Sequence, residues 1–340
     1  MPRTAQNLTR GVQPNFLSRL IEVDAEETPG FTLLPKGQAL KNPIAQAPID
    51  NKDSAAKTGR LDNAPTDGAT SQDNYRILES WNHMLDELVS VGKKADNLVD
   101  QAGIGPGKQY IRALEKKMSA IKTAADQIIC DSEEMVAEGT GGSGSETRGL
   151  FAWCANGAQS VKPVDELYRT PADQISVVNA DELYEETVQG LINAHFDNTG
   201  RSGNFTALCG IKLKQRMSNW SILSDANATN SYIRRFTGDQ SKEAKILTAM
   251  VNVLECDGGK VEVHKSRNLL WSRSPSTRGT YSAHSMIAWH QGCAEMRPGW
   301  LPTHEPLGKR GPGKEGSINM DFAVCADPTG LIKYVPAALS

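Results

Sequence analysis

The chain has 340 residues, 39% of them hydrophobic, and a net charge of −3. Its length suffices for one large or two ordinary domains, yet a mean hydropathy of −0.44 implies extended or shared surface. The mild acidity excludes a global attraction to nucleic acid or anionic membrane, and no run reaches the roughly 18 apolar residues of a membrane-crossing helix.

Residues 1–41 read as an arm, with an apolar patch at Phe16, Leu17, Leu20 and Ile21, an acidic turn, then Phe31, Leu33 and Leu34. The start, MPRTAQNLTRGVQPNFL, lacks the apolar core of a signal peptide, so the protein is expected to stay in the cytoplasm where it is made. There the widely scattered Cys130, Cys154, Cys209, Cys256, Cys293 and Cys325 are expected to be reduced thiols. The sequons at Asn7, Asn204, Asn219 and Asn227 are then chance matches. From Asn42 to about Asn74 the only large apolar residue after Ile49 is Leu61, so this stretch cannot build a core. Structureless loops beyond about 12 to 15 residues are uncommon in compact domains. The stretch is either a linker or a segment that orders against another molecule. Tyr75–Val91 carries large side chains without a clean period, as a returning strand or a strand running into a helix would.

The spacing predicts one long amphipathic helix over 104–137. Apolar side chains recur at Ile111, Leu114, Met118, Ile121, Ala125 and Ile128, in steps of three and four that place them on one stripe. The helix dissolves into a glycine and serine loop at 138–145. Arg148–Trp153 is a compact apolar plug, and 163–171 is irregular. A second helix is expected over 179–195, with Asn179 as N-cap and Leu183, Val188, Leu191 and Ile192 on its buried side. Phe205–Cys209 reads as a strand and Ile211–Trp220 as a helix. Alternating valines on either side of Asp257-Gly258-Gly259 predict a hairpin over 252–263. Further strands are expected at Met286–His290, Ile318–Val324 and Leu331–Val335. The class is α+β, with no internal repeat.

Most tests for chemistry are negative. The glycines at 139–144 match a dinucleotide pattern formally, but they trail a helix instead of opening one. Gly308–Lys314 nearly matches a phosphate loop, yet Glu315 replaces the magnesium-binding hydroxyl, and the segment reads as a basic turn carrying Lys309, Arg310 and Lys314. No nucleophile elbow exists. His290 and Cys293 have a ligand-like spacing without a second pair to complete a zinc site. His83, His195, His264, His284 and His304 are isolated, and Glu133-Glu134 has no recognisable partner. Arg273, Arg278 and Arg297 join the basic turn in a weak basic face that reads as solvated loop. Neither cofactor nor metal is expected.

The order of parts resembles the major capsid proteins of tailed bacteriophages with the Hong Kong 97 fold. The resemblance lies in the arm, the polar loop and the helix, then in Ala102-Gly103, Asp131–Glu134, the glycine loop and Arg148–Trp153. It continues through Met296-Arg297-Pro298, Glu305–Lys309 and the strand from Ile318 through Asp327-Pro328 to Ile332. Asp321 and Cys325 depart from the apolar pattern expected in that strand. The resemblance implies an N-terminal arm (1–41), an extended loop with its return strand (42–91), a peripheral domain (92–165 and 285–340) with a spine helix (105–137), and an inserted axial domain (166–284). It also implies a non-enzymatic subunit that builds pentamers and hexamers of a virion capsid, with double-stranded DNA held weakly and no membrane partner. A separate scaffold, portal or decoration protein would be the further partners. Assembly contacts are expected from Ile49, Asp53, Lys57, Arg60, Leu61 and Asp67 in the loop, and from Ile111, Leu114, Met118, Ile121 and Ile128 on the stripe. The competing readings are an encapsulin-like compartment shell and a cytoplasmic enzyme with a dispersed active site.

Overall fold

The computed structural model describes residues 27–50, 76–98, 108–139, 144–154, 168–220, 222–224, 232–234, 251–273, 277–308 and 311–338. In chain order its helices are α1 (Pro29–Leu33), α2 (Lys93–Leu98), α3 (Gln109–Ile129), α4 (Leu150–Trp153), α5 (Glu185–Thr199) and α6 (Ile211–Asn219). The strands are β1 (Ile44–Ile49), β2 (Arg76–Trp81), β3 (His83–Gly92), β4 (Ile175–Ser176), β5 (Gly203–Cys209), β6 (Ile222–Ser224) and β7 (Tyr232–Arg234). They continue with β8 (Val253–Cys256), β9 (Gly259–Lys265), β10 (Met286–His290), β11 (Ala294–Pro306), β12 (Gly313–Ala326) and β13 (Leu331–Tyr334). The described residues fall into two compact units, one from 86–121 and 302–319, the other from 27–85, 122–301 and 320–340.

The larger unit is organised by a six-stranded sheet in the order β4-β13-β10-β5-β9-β8. β5 and β9 run parallel, whereas β10 is antiparallel to both β5 and β13. The central strands β5 and β10 carry buried side chains at consecutive positions, Ala207-Leu208-Cys209 and Met286–Trp289, as strands covered on both faces require. Leu183, Val188, Leu191 and Ile192, with Leu213 and Met217 of α6, pack against Phe205, Val261, Val263, Met286 and Ile332. Each large side chain so buried contributes roughly 1.5 to 3 kcal/mol. β8 and β9 form the expected hairpin, Cys256 pairing with Gly259. Gly259 has φ of 152° and lies where a Cβ would strike the carbonyl of Gly203, so glycine is required there.

Four elements differ from the sequence reading. The second helix starts at Glu185, not at 179, because residues 180–182 make a separate single turn and Asn179 gives no side-chain cap. Between the two, Leu183 turns inward and its carbonyl accepts a hydrogen bond from Arg216 Nε at 2.9 Å. Glu185 and Glu186 then occupy the first turn, where the helix dipole favours them, and Gly200 closes the helix in the left-handed region. The long helix is also shorter than expected, ending at Ile129 instead of 137. Its continuation is captured from outside, since the carbonyls of Cys130 and Asp131 accept the N–H groups of Leu270 and Phe151.

The third difference is β11, a strand of 13 residues where no element was expected, with Pro298, Pro302 and Pro306 in it. It is the edge of a three-stranded sheet in the order β11-β12-β3, a place where proline is tolerated. β12, in the middle, is longer than the expected 318–324 and buried almost throughout. Asp321 fits this interior because Asn82 Nδ2 donates to it at 2.9 Å and because Gly299 leaves room for its carboxyl. Cys325 packs beside Ala45 and Ala323.

Candidate functional site

The polar stretch after residue 42 is rooted in an antiparallel ribbon of β1 and β2, from Ile44 opposite Trp81 to Ile49 opposite Arg76. Alternation decides its faces. Ala45, Leu78 and Ser80 are buried, while Gln46 donates to Glu79 across the opposite face at 3.0 Å. Ile49 is half-buried in the last pair before the stretch leaves. Asp53, Lys57, Arg60, Leu61 and Asp67 lie outside the described residues.

The root of this ribbon is held by buried polar groups, none of which the sequence reading singled out as a site. Ser80 Oγ lies 2.9 Å from Thr147 Oγ1 and accepts the N–H of Arg148, and Thr147 Oγ1 accepts the N–H of Val324 in β12. Asn82 accepts from Ser145 Oγ at 2.8 Å while donating to Asp321. Beneath them Arg273 spreads its whole guanidinium. Nε and Nη2 grip the two oxygens of Asp131, Nη2 also donates to the carbonyl of Thr147 at 2.6 Å, and Nη1 pairs with Glu146 at 3.1 Å. Arg148 is more deeply buried still, paired with Glu134 at 2.9 Å and lying 4.5 Å over the ring of Trp153.

These contacts overturn two expectations. Arg273 is 12% exposed and interior, not part of a solvated basic face, and Arg297 is bound to Glu295 and to the carbonyl of Gln46 in β1. The pair Glu133-Glu134 does have partners, Ser272 and Arg148. The signal that could have revealed the cluster is the density of Asp, Glu and Arg on both sides of a glycine loop. Nothing in their spacing points to Arg273, more than a hundred residues away.

Along α3 the stripe is buried unevenly. Ile121 is 1% exposed and Ile128 is buried, Leu114 and Met118 are half-covered, and Ile111 is 56% exposed. A helix packed along its full length would hide Ile111, so the end nearest Gln109 is open in the single chain. Asp96 holds that end, accepting the N–H of Tyr110 and pairing with Lys314 at 2.7 Å. The Lys314 ammonium holds the Asp96 carboxyl below its usual range. Lys314 thus lies in β12 with a carboxylate partner, not in a basic turn, and Lys309 and Arg310 are outside the described residues.

Burial pushes Cys293 up to about 11 and Cys154, Cys209 and Cys325 up to about 12, which keeps them protonated at neutral pH. His290 Nδ1 is 3.9 Å from Cys293 Sγ, and its ring stacks on the buried ring of His195 with centroids 5.4 Å apart. Among the described residues no group of three or more His, Cys, Asp or Glu could hold a metal ion. Burial, with His290 and Arg201 nearby, lowers His195 to about 4. Between about pH 6.5 and 4 the unfolded chain takes up a proton that folded His195 refuses, so this group removes stability as pH falls through that window. Replacing it with phenylalanine, His195→Phe, is expected to flatten the fall in melting temperature from pH 7 to 4.5. Parallel pH profiles for variant and parent would rule the effect out.

Solved structures share this fold over the whole chain. The capsid of a native GTA particle superposes with a TM-score of 0.60 at 14% identity, covering 98% of each chain. A chain of Mycobacterium phage Bobi gives 0.58 at 12%, covering 98% of this chain and 99% of that one. The capsid of Cyanophage P-SCSP1u gives 0.54 at 12%, covering 100% and 96%. The fold is that of the Hong Kong 97 class of capsid proteins, of mixed helix and strand. No curated protein matches the chain. The sequence profile of the SU10 major capsid protein family matches residues 3–328, and the chain belongs to that family.

Proposed function

We propose that this chain is the structural subunit of an icosahedral tailed-phage head, joining copies of itself into pentamers and hexamers that enclose double-stranded DNA. The observation that carries this reading is membership of a major capsid protein family over residues 3–328. The proposal assigns residues 1–41 to the arm, 42–91 to the extended loop and its return, 92–165 and 285–340 to a peripheral domain, and 166–284 to an axial domain. No catalytic step and no cofactor enters. Head assembly takes place in the host cytoplasm, and a scaffold, portal or decoration protein would meet the assembled lattice.

In this scheme the buried cluster around Arg273 clamps the ribbon root, so that 51–75 can strap a neighbouring subunit while its own subunit stays rigid. Many modest contacts of this kind reinforce one another in a closed lattice. A net charge of −3 suits a wall from which DNA must leave. Size is the direct test. Expressed protein, with its scaffold if one is needed, is expected to give megadalton shells or capsomers by size exclusion and negative stain. A 36.9 kDa species that never assembles would overturn the reading.

The stripe gives a finer test. Ile111, open in the single chain, would be covered by a neighbouring subunit in the shell. The Ile111→Glu substitution is expected to leave the melting temperature unchanged while weakening association about tenfold or more, since covering an isoleucine is worth roughly 1.5 to 3 kcal/mol. Equal particle yields from variant and parent would remove Ile111 from the assembly surface.

A further inference from the structure

The three prolines of β11 share one side of the strand. In an antiparallel ladder the main-chain N–H and C=O of alternate residues point to opposite edges. Leu307, just past the strand end, donates its N–H to Glu315 O, so odd-numbered residues face β12. At the other end Met296 donates to Pro35 O and accepts from Gly37 N, and Pro298 O accepts from Leu40 N, so even-numbered residues face outward. Both ends agree, and Pro298, Pro302 and Pro306 are all even.

Up to Pro298 the outward edge is covered by residues 35–40. Beyond it, among the described residues, no main-chain group bonds to the outward groups of residues 300 to 306. The outward positions from 298 to 306 are Pro298, Trp300, Pro302, His304 and Pro306; every one offers a carbonyl, and only Trp300 and His304 offer an N–H. A strand laid against this edge would lose one of its two hydrogen bonds at every second pair. It would also meet a pyrrolidine ring where its own carbonyl should sit.

The hazard that this arrangement blocks is real for this strand. An open edge over 300–306, with Trp300 and Leu301 both exposed, is the kind that recruits another edge. Many copies at high local concentration would make such pairing frequent. We infer that the proline spacing of β11 is a guard against edge-to-edge joining of free subunits, leaving shell contacts to other surfaces. This inference rests on the reading of the chain as a shell subunit, because a protein that must meet many copies of itself faces this hazard most often.

The test restores the missing donors with a strand-forming residue. The double variant Pro302→Val with Pro306→Val is expected to keep the parent's melting temperature, since no ladder bond to β12 uses these positions. Its free subunits should aggregate at least about threefold faster, giving sedimenting, thioflavin-positive material, because the edge is now complete. A second double variant, Pro302→Lys with Pro306→Lys, restores the same N–H groups but adds charge that discourages pairing, and should aggregate no faster than the parent. The inference is overturned if the valine variant aggregates no faster than the parent. It is also overturned if the lysine variant aggregates as fast as the valine one, or if both variants unfold, which would make the prolines structural. A parent protein that never forms shells would sink the functional reading alone, since the aggregation rates of free subunits are read without assembly.

Discussion

Replacing Arg273 with methionine is expected to lower the unfolding free energy by about 3 to 5 kcal/mol, the usual cost of removing one partner from a buried ion pair. Methionine keeps much of the volume but none of the donors. Asp131 is 0% exposed and would lose both bonds from the guanidinium, while the carbonyl of Thr147 and the carboxylate of Glu146 would each lose one. The clamp on the ribbon root would loosen with them, through Thr147 and Ser80. The pH dependence has a definite sign. Burial already pushes the Asp131 carboxyl up to about 7 against the pull of Arg273, and without that pull it goes higher. A folded carboxyl that holds its proton while the unfolded one has released it loses stability as pH rises; parent and variant share that loss between about pH 4 and 7, so the deficit should widen above about pH 7, where only the variant's Asp131 stays protonated. Urea titrations at several pH values measure this. Adding Asp131→Asn should recover part of the loss, a coupling read from the double-mutant cycle. A loss below about 1 kcal/mol would show that the cluster does not hold this region.

Deleting residues 50–73 is expected to leave the subunit folded and to abolish closed particles. The ribbon register makes this deletion clean, because Ile49 and Arg76 are paired and only Asn74 and Tyr75 would then connect them. Two residues suffice for a tight hairpin, and Tyr75→Gly in the same variant supplies the Asn-Gly turn that such hairpins favour. Ala45, Leu78 and Ser80 keep their buried positions, so the melting temperature should hold within a few degrees. Without a strap to the neighbouring subunit, particle yield should drop by about a hundredfold or more, since each lost contact recurs at every position of a closed lattice. Negative-stain counts and melting curves on the same preparation separate the two effects. Intact particles from the deletion would count against the strap and the scheme built on it.

Much of this molecule was legible in one dimension, for reasons that differ from element to element. β5, β10, β13 and the β8–β9 hairpin were visible because their buried faces follow a short period, or a short apolar run bounded by turns. The stripe of α3 was visible for the same reason at a helical period, although its end was not. Nothing in residues 130–137 forbids helix; Leu270 and Phe151 take the carbonyls of Cys130 and Asp131, just past its end, that a longer helix would use itself. β11 was hidden by its prolines, which break a central strand and suit an edge. Only the sheet order decides which of these it is.

What the sequence determined by itself was therefore the local pattern: which segments carry apolar faces and where glycine turns the chain. Tertiary structure decided the rest, because buried polar groups choose partners by distance in space and not along the chain. Arg273 reads as one more surface cation until Asp131, Glu146 and Thr147 are seen around it. The root of the polar stretch is fixed by that meeting of residues far apart in the chain.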